Sequence, residues 1–118
     1  MWIFTTSGFI SAVQDWHDPS RVLVRARDRT SLESLAAATG EVIHASPAAD
    51  YPYRTSATKG DFAHWVATEA GAIDYPNFKS EVAAIRGDDY AHVLMGVWST
   101  MHDAEDASAR TATGEPKQ

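Results

Sequence analysis

The apolar pattern of this chain changes period at Thr58. Before it, apolar residues mostly alternate with polar ones, as along a strand whose side chains point to opposite faces. After it, Phe62, Trp65, Val66, Ala70 and Ile73 recur every three or four residues, as along one side of a helix. Strands gathered early and helices gathered late predict an α+β fold. The expectation is an antiparallel sheet of roughly four to five strands, near the common sheet size. One short helix (31–39) and three C-terminal helices (60–71, 77–86 and 89–102) are expected to pack mainly on one face.

Residues 2–14 read as two strands about a tight turn at Ser7-Gly8, or as one strand bulged at Gly8. Apolar residues occupy both parities there, so this ribbon is expected inside a sheet or covered on both faces. From Arg21 the alternation is clean: Val22, Val24 and Ala26 point one way, and Arg21, Leu23, Arg25 and Arg27 the other. Two readings follow. The arginines are a solvated outer face, or they are an anion-binding stripe, since each guanidinium offers a planar fork of donors. Thr30 and Glu33 have capping-box spacing for the short helix, and Gly40 is its natural stop. A compact strand follows at 42–45, with His44 as a sheet residue. Another runs over 51–58, with Tyr51, Tyr53 and Thr55 on one face and Arg54 and Ser56 on the other. Pro52, lacking an amide proton, places its start at a sheet edge.

Among the late helices, Thr58 and Asp61 have N-cap spacing, and Glu69 is expected at the edge of the apolar stripe. Pro76 suits the first turn of the next helix, which Gly87 ends. Tyr90, Val93, Leu94, Val97, Trp98 and Met101 form the expected inner face of the last helix, and Gly96 suggests close packing there. Residues 103–118 contain no large apolar side chain and are expected to form a flexible polar tail outside a single domain, 1–102.

Composition narrows the function classes. The chain has 118 residues, the size of one ordinary domain, and no Cys, which removes disulfides and thiolate chemistry. No run approaches the roughly 20 apolar residues of a membrane span, and the N-terminus does not read as a secretion signal, so a cytoplasmic protein is expected. A net charge of −6 argues against broad salt-driven binding of nucleic acid, while leaving room for a local basic patch. No nucleotide loop, zinc-protease motif or nucleophile elbow is present, and no cofactor, metal site or catalytic set is expected.

What stands out instead is a pair of Asp-Tyr-Pro corners, at 50–52 and 74–76. Tyr51, Tyr53, Arg54, Asp74, Tyr75, Asn77 and Lys79 are the candidate binding residues if the fold brings the corners together, because Tyr and Arg combine contact area with a polar tip. The bland alternative is an Arg54–Asp74 structural pair with tyrosines capping the core. Arg21, Arg25 and Arg27 form the alternative anion or nucleic-acid stripe. A small hydrolase or nuclease centred on Asp74, Lys79 and His92 is the remaining rival.

The opening Met1-Trp2-Ile3-Phe4-Thr5 with Gly8-Phe9-Ile10-Ser11, then Asp50-Tyr51-Pro52-Tyr53-Arg54 and Asp74-Tyr75-Pro76-Asn77-Phe78-Lys79, resembles a family of short uncharacterised bacterial and phage proteins. The resemblance implies a free-standing domain and no particular activity. The resulting expectation is a non-enzymatic accessory or regulatory domain that binds a macromolecular partner. A protein partner is favoured, a homodimer is an option, nucleic acid is the alternative, and no membrane is involved.

Overall fold

The computed structural model describes residues 1–113. Its architecture is α+β, with a five-stranded antiparallel sheet and helices gathered toward the C-terminus. The strands are β1 (Trp2–Thr5), β2 (Gly8–Gln14), β3 (Arg21–Ala26), β4 (His44–Ala45) and β5 (Tyr53–Thr58), in the spatial order β1-β2-β3-β5-β4. The helices are α1 (Thr30–Thr39), α2 (Lys59–Gly71), α3 (Phe78–Arg86), α4 (Asp88–Met101) and α5 (Asp103–Thr113). The chain splits into two compact units, Met1–Pro76 and Asn77–Gln118.

In the first unit, cross-strand partners define the two faces of the sheet. Ile10, Ala12, Val22, Val24, Ala26, Thr55 and Ala57 are buried on one face, beneath Leu32 and Leu35 of α1 and Phe62 and Trp65 of α2. The alternation in β3 follows directly, because only one parity meets the helices. The hairpin turns at Thr6-Ser7, one residue earlier than expected. Gly8 pairs with Thr5 and opens β2 at φ 149, a value that side chains disfavour.

Hydrogen bonds fix the helices onto this layer. Among the described residues, Thr30 makes no capping bond; instead Asp28, just ahead of α1, accepts through Oδ1 from Ser31 N–H at 3.0 Å and from the Ser31 hydroxyl at 2.6 Å. The Ser31 oxygen in turn accepts the Phe9 N–H. Gly40 closes α1 in the left-handed conformation, as its position predicts. Thr58 caps α2 by accepting the Asp61 N–H at 3.0 Å. The Trp65 indole N–H donates to Ser34 Oγ, whose hydroxyl donates to half-buried Glu69 at the edge of the stripe. In the β2–β3 turn, the Ser20 hydroxyl and N–H hold the Asp18 carboxyl below its ordinary value of 3.8. Its contribution is therefore present above that value and is lost as pH falls through the lower folded-state value.

The second unit departs further from expectation. Asn77 rather than Pro76 starts α3, its side chain accepting the Ser80 N–H at 2.9 Å. Val82 of α3 and Ala91 of α4 are buried, whereas Val93, Val97, Trp98 and Met101 are exposed. Gly96 does not mark a close approach: a Cβ there would meet no described atom within 4 Å. The segment expected as a tail is helical over Asp103–Thr113, and the end of that expectation, 114–118, lies outside the described residues. Four alanines and three acids in the first turn favour that helix without any large apolar side chain.

Two substitutions test this account in opposite directions. Leu35→Ala in α1 opens space in a fully buried position and is expected to lower unfolding free energy by about 2–5 kcal/mol in urea titrations. Gly96→Ala meets open space in a helix interior and is expected to raise the thermal midpoint of helix loss, through a gain of about 1 kcal/mol.

Candidate functional site

The face of the sheet opposite α1 and α2 carries the other parity of every strand. Register places Trp2 opposite Ser11, Ser11 opposite Arg25, Arg25 opposite Arg54, and Arg54 opposite His44. These five residues form one row across all five strands. At roughly 4.8 Å per strand spacing, the row is about 19 Å long. Phe4 and Phe9 sit beside its β1 end, on the same face.

That end is aromatic. Trp2 is 70% exposed and meets Phe9 edge-on, with ring centroids 5.7 Å apart. Phe4 stacks on Phe9 at 4.6 Å. Such offset and edge contacts give the rings a fixed relative geometry while leaving the Trp2 ring accessible.

The middle of the row is cationic. The guanidinium carbons of Arg25 and Arg27 lie 4.8 and 4.9 Å from the centre of the Tyr51 ring, within cation–π range. Arg25 also donates from Nη2 to Ser11 Oγ at 2.9 Å, while its buried Nε has no hydrogen-bond partner. Arg27 donates from Nη1 to the Asp50 carbonyl at 3.0 Å, and Arg54 donates from Nε to the Tyr51 carbonyl at 3.4 Å. Among the described residues, no carboxylate forms an ion pair with Arg25, Arg27 or Arg54. Arg21 differs: it pairs with Glu41 at 2.9 Å and donates from Nε to Ser56 Oγ. The stripe of Arg21, Arg25 and Arg27 is thus divided, with Arg54 joining the last two.

Tyr51 was expected to share a face with Tyr53 and Thr55. It does not, because β5 begins at Tyr53, beyond Pro52, and strand alternation does not reach back to Tyr51. Its ring lies with the arginines, whereas Tyr53 packs half-buried against the core.

The two corners are not brought together. Tyr75 lines a cleft of about 220 Å³ beside β1, with Ile3, Phe4, Trp65, Glu69 and Ile73. Arg54 lies on β5, three strand spacings from β1, roughly 14 Å across the sheet. Asp74 is exposed and makes no ion pair with Arg54. Asn77 and Lys79 belong to the second unit, where Asn77 serves as a helix cap and Lys79 is exposed, as is His92. No cluster of three or more metal-ligating side chains occurs among the described residues, and none of their helices is long and apolar enough to cross a membrane.

Trp2, Phe4, Phe9, Ser11 and His44 were not singled out by residue type or spacing. Their signal was the second apolar parity in 2–14, but only strand register aligns them with Arg25 and Arg54. Comparison with protein-family models, curated proteins and solved structures gives no match in any of the three.

Arg25 and Arg54 face each other with Cβ atoms roughly 5 Å apart, an arrangement that destabilises a sheet when the charges are alike. Arg54→Ala is therefore expected to leave stability unchanged or raise it by up to about 0.5 kcal/mol, with the difference shrinking as salt is added. Tyr51→Ala, which removes both cation–π contacts, is expected to cost about 1–2 kcal/mol. Urea unfolding at two ionic strengths measures both.

Proposed function

We propose that this chain is a non-enzymatic interaction domain, an accessory or regulatory module of bacterial or phage kind, that holds a macromolecular partner on the open face of its sheet. The observation that carries this reading is the Arg25–Arg54 juxtaposition, with no carboxylate ion-paired to either among the described residues, in a protein of net charge −6. Like charges placed side by side cost stability, and a bound anionic group between them removes that cost. The exposed Trp2 and the Phe4–Phe9 stack extend the same face with apolar area of the kind that anchors partners. Most of the residues gathered there are arginine donors and aromatic rings, which suit recognition.

The reading separates this face from the cleft at Tyr75. The tagged chain is used to capture partners from a bacterial lysate, alongside Arg25→Glu/Arg54→Glu and Tyr75→Ala variants checked for unchanged circular dichroism. Loss of at least tenfold in captured partner with the arginine pair, and retention with Tyr75→Ala, is the expected result. Retention by the arginine variant with loss by Tyr75→Ala moves recognition to the cleft and contradicts the proposal.

A further inference from the structure

Resting on the reading that the open sheet face is the binding face, we propose that its occupant is single-stranded nucleic acid, with bases stacked at Trp2 and Phe4, which Phe9 supports, and backbone phosphates held by Arg25, Arg27 and Arg54. Two chemistries are juxtaposed on this face, and a nucleotide chain needs both. A phosphate needs planar, bidentate donors; a base needs a flat, exposed π surface. The row Trp2–Ser11–Arg25–Arg54–His44 supplies them in sequence from one sheet edge to the other.

The alternatives fit less well. An acidic peptide satisfies the arginines, but its carboxylate side chains bring no aromatic ring to stack at the aromatic end. A duplex keeps its bases stacked inside, and in the first unit both helices lie on the opposite face, so the open face presents no helix to a groove. A single strand exposes its bases and bends to a flat sheet. At about 19 Å the row suits about four nucleotides, the low end of the site sizes of such platforms.

The acidic remainder of the protein restricts contact to this face. Three arginines that form no ion pair with a carboxylate among the described residues predict about three phosphate contacts, hence a slope of log binding constant against log salt of about −2 for a single strand. Arg21 adds nothing, because Glu41 already occupies it.

The test is fluorescence anisotropy of the full chain with labelled 12-nucleotide single strands of mixed sequence, as DNA and RNA, and with the matched duplex, over a salt series. Expected are single-strand binding at least tenfold tighter than duplex binding and a salt slope near −2. Arg25→Ala/Arg54→Ala is expected to weaken binding tenfold or more and flatten the slope toward about −1. Trp2→Ala is expected to weaken it about fivefold or more with the slope unchanged. Should the alanine pair unfold, Arg25→Lys/Arg54→Lys, which keeps the charge and loses the fork, is expected to give weaker binding at an unchanged slope.

No single-strand binding, equal binding of duplex, or indifference to Trp2→Ala each overturns the proposal. A poly-glutamate arm separates the two levels of inference. If poly-glutamate binds and depends on Arg25 and Arg54 while the oligonucleotides do not bind, nucleic acid is wrong and the open-face reading survives. If neither probe binds, both fail.

Discussion

The first unit depends on a single constraint, the one-sided burial of strand β3. Val24 and Ala26 are completely enclosed between β2, β5 and the two helices, while Arg21, Leu23 and Arg25 on the opposite parity stay half exposed. A strand cannot slip by one residue without turning Arg21 and Arg25 into the helix layer and Val22, Val24 and Ala26 out of it. That penalty locks the register of β3, and through β3 it locks the residues of β2 and β5 that stand beside it. The cationic row is thus a by-product of core packing. Its members are aligned because their neighbours in the chain are buried.

Polar bonds then orient what the apolar contacts only press together. The Phe9 N–H lies beyond the end of the β2–β3 ladder and is met by Ser31, itself held by Asp28. The indole of Trp65 is tied to α1 through Ser34, whose hydroxyl donates back to Glu69 of α2. Both chains of hydrogen bonds link a helix to a neighbouring element and satisfy donors that burial would otherwise leave costly. With α1 and α2 fixed on one face, Trp2 and Phe4 stay exposed on the other, while Ser11 in the middle of the row is buried.

Much of this fold was legible in the residues. The change of period at Thr58, its cap on Asp61, the alternation from Val22 to Ala26 and the Gly40 stop each rest on local chemistry, and each appears in the structure. What was illegible depended on long-range pairing. Nothing local to Trp2 or His44 says that both lie in line with Arg25, because that follows from register across four interfaces. Tyr51 escaped for a related reason, since Pro52 interrupts the alternation that would have placed it. The corner at Tyr75 misled because repeated Asp-Tyr-Pro is a likeness of composition, while sheet order puts Tyr75 and Arg54 at different places along the sheet. The helix at Asp103–Thr113 was hidden by its lack of apolar residues, which matters for packing but not for alanine's intrinsic preference.

Everything proposed for this protein requires a sheet roofed on one face and bare on the other. Hydroxyl-radical labelling read by peptide mass spectrometry tests that most directly, with Trp16, 93% exposed, as the internal reference for full accessibility. The account predicts that Trp2 is oxidised at nearly the rate of Trp16, with Phe4 modified as well, while Trp65 and Phe62 are protected at least tenfold. Protection of Trp2 to the level of Trp65 would mean that the face is already covered, and would contradict it.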